Sequence, residues 1–210
     1  MDGLLVDSEP VWAIAEGALL AERGKQWDLE IQRPLIGMRM RDFLVGIRSG
    51  YGLSDTVDEL VAELIGRMTK LVPTTVVPRP GAPELLDYLL ARDIPCAIAS
   101  SSPMPIIDAV VAARGWDRYF QTHVCGDDVV YGKPAPDIYL EAARRIGVPP
   151  EECLALEDSS NGARAAVAAG MVTIAVPDLS HTTHEAFAVI TPYVFDTLHG
   201  VQAALELCVG

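Results

Sequence analysis

The chain has 210 residues, half of them hydrophobic, and a formal net charge of −13 at pH 7. This length allows one substantial core with a smaller appendage, and the composition is that of a globular protein. The negative charge excludes a surface built for nucleic acid or anionic membranes, because both require a basic footprint. No apolar run approaches the ~18 residues of a membrane span and no signal peptide opens the chain, so we expect a cytoplasmic protein.

The first third of the chain is predicted to be helical. Pro10 stands where a first helical turn typically begins, and apolar residues recur at helical spacing after it. Ser54 resembles the N-cap of a further helix. A proline-rich stretch then breaks the pattern. We therefore predict a helical cap domain over residues 11–76, and a core domain formed by residues 1–10 and 77–210.

Helices and strands alternate along the rest of the chain. The predicted elements are helix Pro83–Arg92, strand Pro95–Ser100, helix Pro103–Arg114, strand Thr122–Gly126, helix Pro136–Ile146, strand Cys153–Glu157, helix Ala163–Ala169, strand Val172–Val176 and a short strand Tyr193–Phe195. Such alternation favours an α/β fold, a doubly wound parallel sheet with right-handed crossovers and helices on both faces.

Two acids follow the apolar strand that begins at Cys153. Glu157 and Asp158 end this strand, and a turn-forming Ser-Ser-Asn-Gly cluster comes next. Ligands bind at the carboxyl ends of strands in open α/β sheets, and paired acids there require a compensating cation or proton. Hard carboxylate oxygens suit Mg²⁺. Helix N-capping by Asp158 or Ser159 is the alternative interpretation.

Hydroxyl groups and a lysine stand at two other places in the alternating region. Ser100, Ser101 and Ser102 follow a predicted strand and could form an anion cradle, or simply cap the next helix. Lys133 lies between Gly132 and two prolines, a stiff setting for a side chain that is more commonly solvated. Hydroxyl, ammonium and paired carboxylates together are the groups needed to hold Mg²⁺ and a transferring phosphoryl group.

These residues carry a family resemblance. The matching segments are Asp2-Gly-Leu-Leu-Val-Asp-Ser-Glu, Ala-Ser100-Ser-Ser, Gly-Lys133-Pro-Ala-Pro-Asp and Leu-Glu157-Asp158-Ser-Ser-Asn-Gly. In this order they resemble the four motifs of the haloacid dehalogenase superfamily, in its sugar-phosphatase and β-phosphoglucomutase branch. That branch inserts a helical cap after the first motif.

The resemblance implies a role for each matching position. Asp2 would be the general acid and base, and Ser100 the hydroxyl that binds the phosphoryl group beside the Ser101 backbone N–H. Lys133 would neutralise charge on the nucleophile and the phosphoryl group. Glu157 and Asp158 would hold Mg²⁺, directly or through water, under a mobile cap.

One motif position is missing from the resemblance. The family's nucleophile is an aspartate two places before the general acid, which would fall before Met1. The central strand leading to it would be missing too, which should leave the backbone groups of its two neighbours unpaired. We therefore expect that the sequence starts late and lacks about ten native residues, roughly one strand and its turn.

The predicted cap carries the candidate substrate contacts. Ile36 and Met40 stand where mutases tend to have lysine and arginine, and Trp12 where they commonly have histidine. Gly-x-Arg39 and Asp-Ser-Glu-Pro-x-Trp12 resemble 2-deoxyglucose-6-phosphatase-type hexose phosphatases. Arg39 would contact the sugar or a distal phosphate unless it is solvated, and Trp12 would line the substrate site unless it is a core residue.

Asn161 and a pair of histidines are further polar candidates for the site. Asn161 would orient Asp158 or merely close its turn, and it is counted among the substrate-binding candidates. His181 and His184 have the spacing of a metal pair, but a surface position explains them better because a third ligand is not evident.

We conclude from the sequence that the chain is a Mg²⁺-dependent phosphatase of a small sugar phosphate, acting through an aspartyl-phosphate and working as a monomer. The alternatives are phosphoryl transfer of the β-phosphoglucomutase kind, and an inactive protein that binds a phosphorylated ligand without turnover.

Overall fold

A computed structural model describes residues 1–32, 35, 38–178 and 182–209. The predicted alternation of helices and strands is confirmed. The helices are α1 (Glu9–Ala21), α2 (Leu29–Gln32), α3 (Met40–Tyr51), α4 (Val57–Thr75), α5 (Ala82–Leu90), α6 (Met104–Arg114), α7 (Asp137–Ile146), α8 (Ser160–Ala168), α9 (His184–Ala188) and α10 (Leu198–Val209). The strands are β1 (Val6–Asp7), β2 (Val77–Pro78), β3 (Ala97–Ser100), β4 (Thr122–Cys125), β5 (Leu154–Glu157), β6 (Val172–Ala175) and β7 (Tyr193–Val194).

We call helices α1 to α4 the cap helices. Helices α1 and α3 pack against the long helix α4, and α2 packs against α3. Its buried residues Leu60, Leu64, Met68 and Val72 recur every four positions and form one apolar stripe. The sequence suggested Ser54 as the N-cap of α4, but the N-cap in the structure is Thr56. Thr56 is favoured because Glu59 lies three residues later and completes a reciprocal capping box.

Two short strands that the sequence pattern did not predict join the cap helices to the rest of the chain. Strand β1 precedes α1 and strand β2 follows α4, and the two pair antiparallel, with Val6 opposite Pro78. The backbone N–H of Arg79 also donates to the Leu5 carbonyl at 2.8 Å. With two residues each, these strands are too short to show an alternating pattern. They hold the entry and the exit of the cap helices side by side.

The parallel sheet consists of two separate parts. Strand β3 pairs with β4, while β5 pairs with β6 and β6 with β7, all in parallel. Within the described residues no strand pairing joins β3 to β5. We call the space between these two strands the sheet gap.

Both parts of the sheet nevertheless belong to one layered core. On one face, a single apolar cluster includes Ala99 of β3, Ala155 of β5 and Ile138 of α7. On the other face, Ile98 of β3 and Leu156 of β5 contact the cluster that includes the buried residues of α4 and α6. The sheet gap therefore lies inside a continuous layer that helices cover on both faces. Every helix of the described segments is too short or too polar to cross a lipid bilayer.

An acidic side chain lies inside the cap helices. Glu16 of α1 lines a small, mainly apolar cavity with Leu19, Phe43 and Leu44. Burial disfavours the charged form and the neighbouring Glu9 adds repulsion, so the pKa of Glu16 is raised to about 8. At any pH at which Glu16 would be ionised in the unfolded chain, its burial in protonated form therefore lowers the stability of the fold.

Replacing Glu16 with glutamine should stabilise the protein near neutral pH. Between pH 4.5 and about 8 the folded chain keeps a proton that the unfolded chain releases, so stability falls as the pH rises through this window. The loss should reach about 2–4 kcal/mol by pH 8. In urea unfolding at pH 5 and pH 8, Glu16→Gln should reduce this fall. The exposed control Glu30→Gln should keep it, and an unchanged slope in Glu16→Gln would show that Glu16 is not buried as described.

Candidate active site

The carboxylate of Asp2 accepts hydrogen bonds from hydroxyl groups of two different segments. Ser8, just before α1, donates to Oδ1 at 2.9 Å. Ser100, the last residue of β3, and Ser102, two residues later, donate to Oδ2 at 3.2 and 2.9 Å. All three serines are buried. Asp2 thus connects the start of the cap helices with the carboxyl end of β3.

The serines after β3 do not cap the following helix. Helix α6 has Pro103 at its N-cap position and no side-chain cap hydrogen bond. The Ser102 N–H instead donates to the Ser100 hydroxyl at 3.2 Å. Because both hydroxyls and backbone N–H groups converge here, the turn is suited to hold an anion.

Lys133 is buried and bridges the sheet gap. Its ammonium donates to the Ala99 carbonyl of β3 at 3.2 Å and forms an ion pair with Glu157 of β5. The side chains of Lys133 and Glu157 are only 10% and 5% exposed. The alternative of a solvated surface lysine is therefore wrong, since two separate strands hold the ammonium in place.

Both carboxylate oxygens of Glu157 have partners. Tyr139 of α7 and Lys133 donate to Oε1, while the Ser159 hydroxyl donates to Oε2 at 3.0 Å. Burial raises the pKa of Glu157, but the charge and hydrogen bond of Lys133 outweigh burial and leave the pKa below its usual value. Glu157 is therefore an ionised anchor for Lys133.

Asp158 lies against Gly3 and carries a perturbed carboxylate. A Cβ atom at Gly3 would lie 2.0 Å from Asp158 Oδ2, so only a glycine after Asp2 allows this approach. Burial and the charge of Glu157 raise the pKa of Asp158 to about 7, although Lys133 and the Met1 amino group oppose the rise. Ser159 caps α8 through the Gly162 N–H at 3.0 Å, which leaves Asp158 available.

The acidic groups fit a Mg²⁺ ion with few protein ligands. Mg²⁺ usually takes one or two carboxylates and fills its remaining positions with water and phosphate oxygens. Asp158 is a half-buried carboxylate without a full counter-charge, which a cation beside it would supply. Across residues 1–32, 35, 38–178 and 182–209, no group of at least three His, Cys, Asp or Glu side chains forms a ready-made cage.

A cleft separates the cap helices from the anion-binding turn. It holds about 100 Å³ of solvent space. The cap helices and the segment before α3 contribute Arg39, Met40, Arg41 and Val61, and the sheet side contributes Ser101, Pro103 and Asp127.

Arg39 is the cleft residue with the most specific contacts. Its Nε donates to Asp42 at 3.0 Å, and its Nη1 donates to the Val130 carbonyl at 3.4 Å. Its aliphatic stem lies against Gly126 and Gly132. The arginine therefore contacts both sides of the cleft.

The remaining predicted substrate residues lie farther from the cleft lining. Trp12 is half-buried and packs against the main apolar cluster, as the core interpretation of this residue expects. Asn161 is exposed at the second position of α8. Ile36, Gly37 and His181 lie outside the described residues.

Sequence reasoning named Ser102 only as part of a possible anion cradle, and it gave Tyr139 and Ser8 no role in the site. Ser100 and Ser102 are two positions apart, a spacing that would have pointed both hydroxyls to one side if the strand pattern had been extended. Tyr139 and Ser8 gave no comparable signal, because a buried helical tyrosine and a serine before a helix are common structural residues.

Comparisons with known proteins found similar sequences and structures. A family model described as haloacid dehalogenase-like hydrolase matches residues 1–170. The probable pseudouridine-5'-phosphatase of Drosophila melanogaster is 36% identical over 184 residues, which cover 85% of this chain and 79% of that protein. Hexitol phosphatase B of Escherichia coli strain K12 is 34% identical over 181 residues, covering 84% and 81%. CbbY from Rhodobacter sphaeroides, solved in complex with phosphate, is similar with a TM-score of 0.85 at 29% identity, covering 94% and 92%.

Removing the ammonium of Lys133 should destabilise the fold more than a lysine replacement elsewhere. Lys133→Met leaves Glu157 charged and buried, and should lower the free energy of unfolding by about 3 kcal/mol. The double variant Lys133→Met/Glu157→Gln should recover most of this loss, because no uncompensated charge remains.

Chemical denaturation at pH 7 measures both variants, with the exposed residue Lys70→Met as the matched control. If Lys133→Met behaves like Lys70→Met, or if the double variant is no better than the single one, the buried ion pair does not bridge the sheet gap.

Proposed function

Because the chain belongs to the haloacid dehalogenase-like hydrolases and is a phosphatase of that family, we propose that it hydrolyses a small sugar phosphate with the help of Mg²⁺. The observation that carries the proposal is the convergence of four groups at one end of the sheet gap. Ser100 donates a hydrogen bond to Asp2, and Gly3, the residue after Asp2, lies against Asp158. Lys133 contacts Ala99, which precedes Ser100, and Glu157, which precedes Asp158.

The phosphoryl group would lie between Ser100 and Lys133. The Ser100 hydroxyl and the Ser101 N–H would donate to its oxygens, and the Lys133 ammonium would neutralise its charge. Asp158 would hold Mg²⁺ directly, and Glu157 would support the site by fixing Lys133. The metal would supply positive charge against the phosphate oxygens.

Asp2 would move a proton in each half of the reaction. In the first half, the bond between phosphorus and the sugar oxygen breaks, an aspartate carboxylate takes the phosphoryl group, and Asp2 protonates the leaving oxygen. In the second half, water attacks phosphorus, Asp2 takes a proton from that water, and phosphate leaves the aspartate.

The sheet gap supports a position for the aspartate nucleophile. We place this aspartate two residues before Asp2, at the end of a strand that precedes Met1 and pairs with β3 and β5. Both strands have one edge without a described strand partner, and their carboxyl ends meet at Lys133. A strand here would pair these backbone groups and would bring its last residues beside Asp158.

The leaving group would be a polyhydroxy compound of modest size. The relatives named above as hexitol and pseudouridine-5'-phosphate phosphatases act on phosphomonoesters of this kind. The cleft beside Ser101 combines charged side chains with Val61 and Pro103, so it could contact hydroxyl groups and a carbon skeleton together. Trp12 and Asn161 remain candidates for contacts outside this lining.

Activity tests the proposal in matched extended chains. One extension adds an apolar strand ending in Asp-x before Met1, and its control ends in Asn-x. Phosphate release from hexitol, hexose and nucleoside phosphates should occur with the Asp extension and Mg²⁺, and should fall on the order of 10³-fold or more with the Asn extension. Asp158→Asn in the active chain should remove the stimulation by Mg²⁺.

Two outcomes would contradict parts of this proposal. If the 210-residue chain released phosphate as fast as the Asp-extended chain, the position of the nucleophile would be wrong. If the Asp-extended chain bound inorganic phosphate in calorimetry but hydrolysed none of these esters, the protein would be a binder of phosphorylated ligands.

A further inference from the structure

We propose that Arg39 is a positioning residue: it holds the cap helices in place against the sheet side of the cleft. Its side chain lies in a space between Gly126 and Gly132, which we call the Arg39 slot. This inference rests on the proposed function only for the roles of Ser101 and Lys133. The contact itself is independent of any activity.

The Arg39 slot requires glycine on the Gly132 side, while the Gly126 side is at ordinary contact distance. A Cβ atom at Gly132 would lie 2.8 Å from Cδ of Arg39 and 3.1 Å from its Cγ and Nε. A Cβ atom at Gly126 would lie 3.5 Å from the same Cδ. The backbone of Gly132 does not have a left-handed conformation. Glycine is therefore needed here because a side chain would occupy the space of Arg39, and not because the backbone angles require it.

The guanidinium of Arg39 is fixed at the mouth of the slot. Asp42, three residues later on α3, accepts from Nε, and the Val130 carbonyl accepts from Nη1. Arg39 is the N-cap residue of α3 and has extended backbone angles. Its side chain is 31% exposed, so screening by water limits the charge interactions, and the packing of the stem carries much of the contact.

Both sides of the slot adjoin phosphoryl-binding groups. Gly132 directly precedes Lys133, and a Cβ atom at Gly126 would lie 2.9 Å from the Ser101 carbonyl oxygen. The arginine therefore contacts the two segments that hold the ammonium and the backbone N–H of the proposed site. Closing the cap helices onto the sheet would bring Arg39 into the slot and restrain both segments together.

A neighbouring arginine provides a matched control. Arg41 also lines the cleft, but its guanidinium pairs with Asp58 on α4, so this ion pair stays within the cap helices. If the slot contact holds the cap helices in place, losing Arg39 should loosen the cleft and losing Arg41 should not.

Hydrogen exchange in the 210-residue chain tests the contact without any turnover. Arg39→Ala should speed amide exchange about fivefold in residues 101–106 and 124–133, as expected when the closed population falls. Gly132→Ala should have the same effect by filling the slot, although alanine by itself stiffens a loop. The double variant should exchange no faster than either single variant, because both remove one contact.

The controls separate loosening from unfolding. Residues 60–72 of α4 and 172–175 of β6 should keep their exchange rates in every variant, and Arg41→Ala should leave residues 124–133 unchanged. Additive effects in the double variant, or no effect of Gly132→Ala, would overturn the proposal.

Kinetics of the Asp-extended chain distinguish positioning from substrate contact. Gly132→Ala keeps the guanidinium of Arg39, so a direct contact with the sugar would leave kcat/KM near that of the parent. Positioning through the slot should lower kcat/KM about tenfold in both Gly132→Ala and Arg39→Ala. A loss confined to Arg39→Ala would therefore overturn it, whereas an inactive parent would contradict the proposed function and leave the exchange result standing.

Discussion

The buried ion pair between Lys133 and Glu157 holds the candidate site together. Through Lys133 it connects the Ala99 carbonyl of β3 to the end of β5 across the sheet gap. A buried ion pair contributes little net stability, but losing either partner leaves a charge in an apolar layer. The fold therefore requires both residues together, and the main effect of the pair is to hold the ends of β3 and β5 in position.

Glu157 and Asp158 show how two adjacent acids acquire different properties. Lys133, Tyr139 and Ser159 surround Glu157 and keep it ionised. Asp158 faces Gly3 and feels the charge of Glu157, so its pKa rises to about 7. Glu157 orients Lys133, whereas Asp158 lacks a full counter-charge, which a bound cation would supply.

Hydroxyl groups connect this charged centre to the cap helices. Asp2 receives hydrogen bonds from Ser8 before α1 and from Ser100 and Ser102 after β3. The paired strands β1 and β2 keep the two connections to the cap helices adjacent. Together with the proposed contact of Arg39 across the cleft, these contacts hold the cap helices beside the turn that we propose binds the phosphoryl group. A change in the position of the cap helices would therefore reach the residues proposed for catalysis.

The sequence alone determined the α/β alternation, the helical segment before it and the identity of the polar residues near Ser100, Lys133 and Asp158. Periodicity and turn residues are local signals, so they survive in a single sequence. Even there, pairing partners decided details such as the choice of Thr56 over Ser54 as an N-cap, because Glu59 reaches back to it.

Only the tertiary structure decided how the site residues divide their roles. The ionisation of Glu157 depends on Tyr139 and Lys133, which lie 18 and 24 residues away, and the Arg39 slot joins residues 91 positions apart. Hydroxyl partners of Asp2 and the split of the sheet likewise arise from contacts between distant segments. Such contacts follow from how the layers pack, and a local pattern of residues carries no record of them.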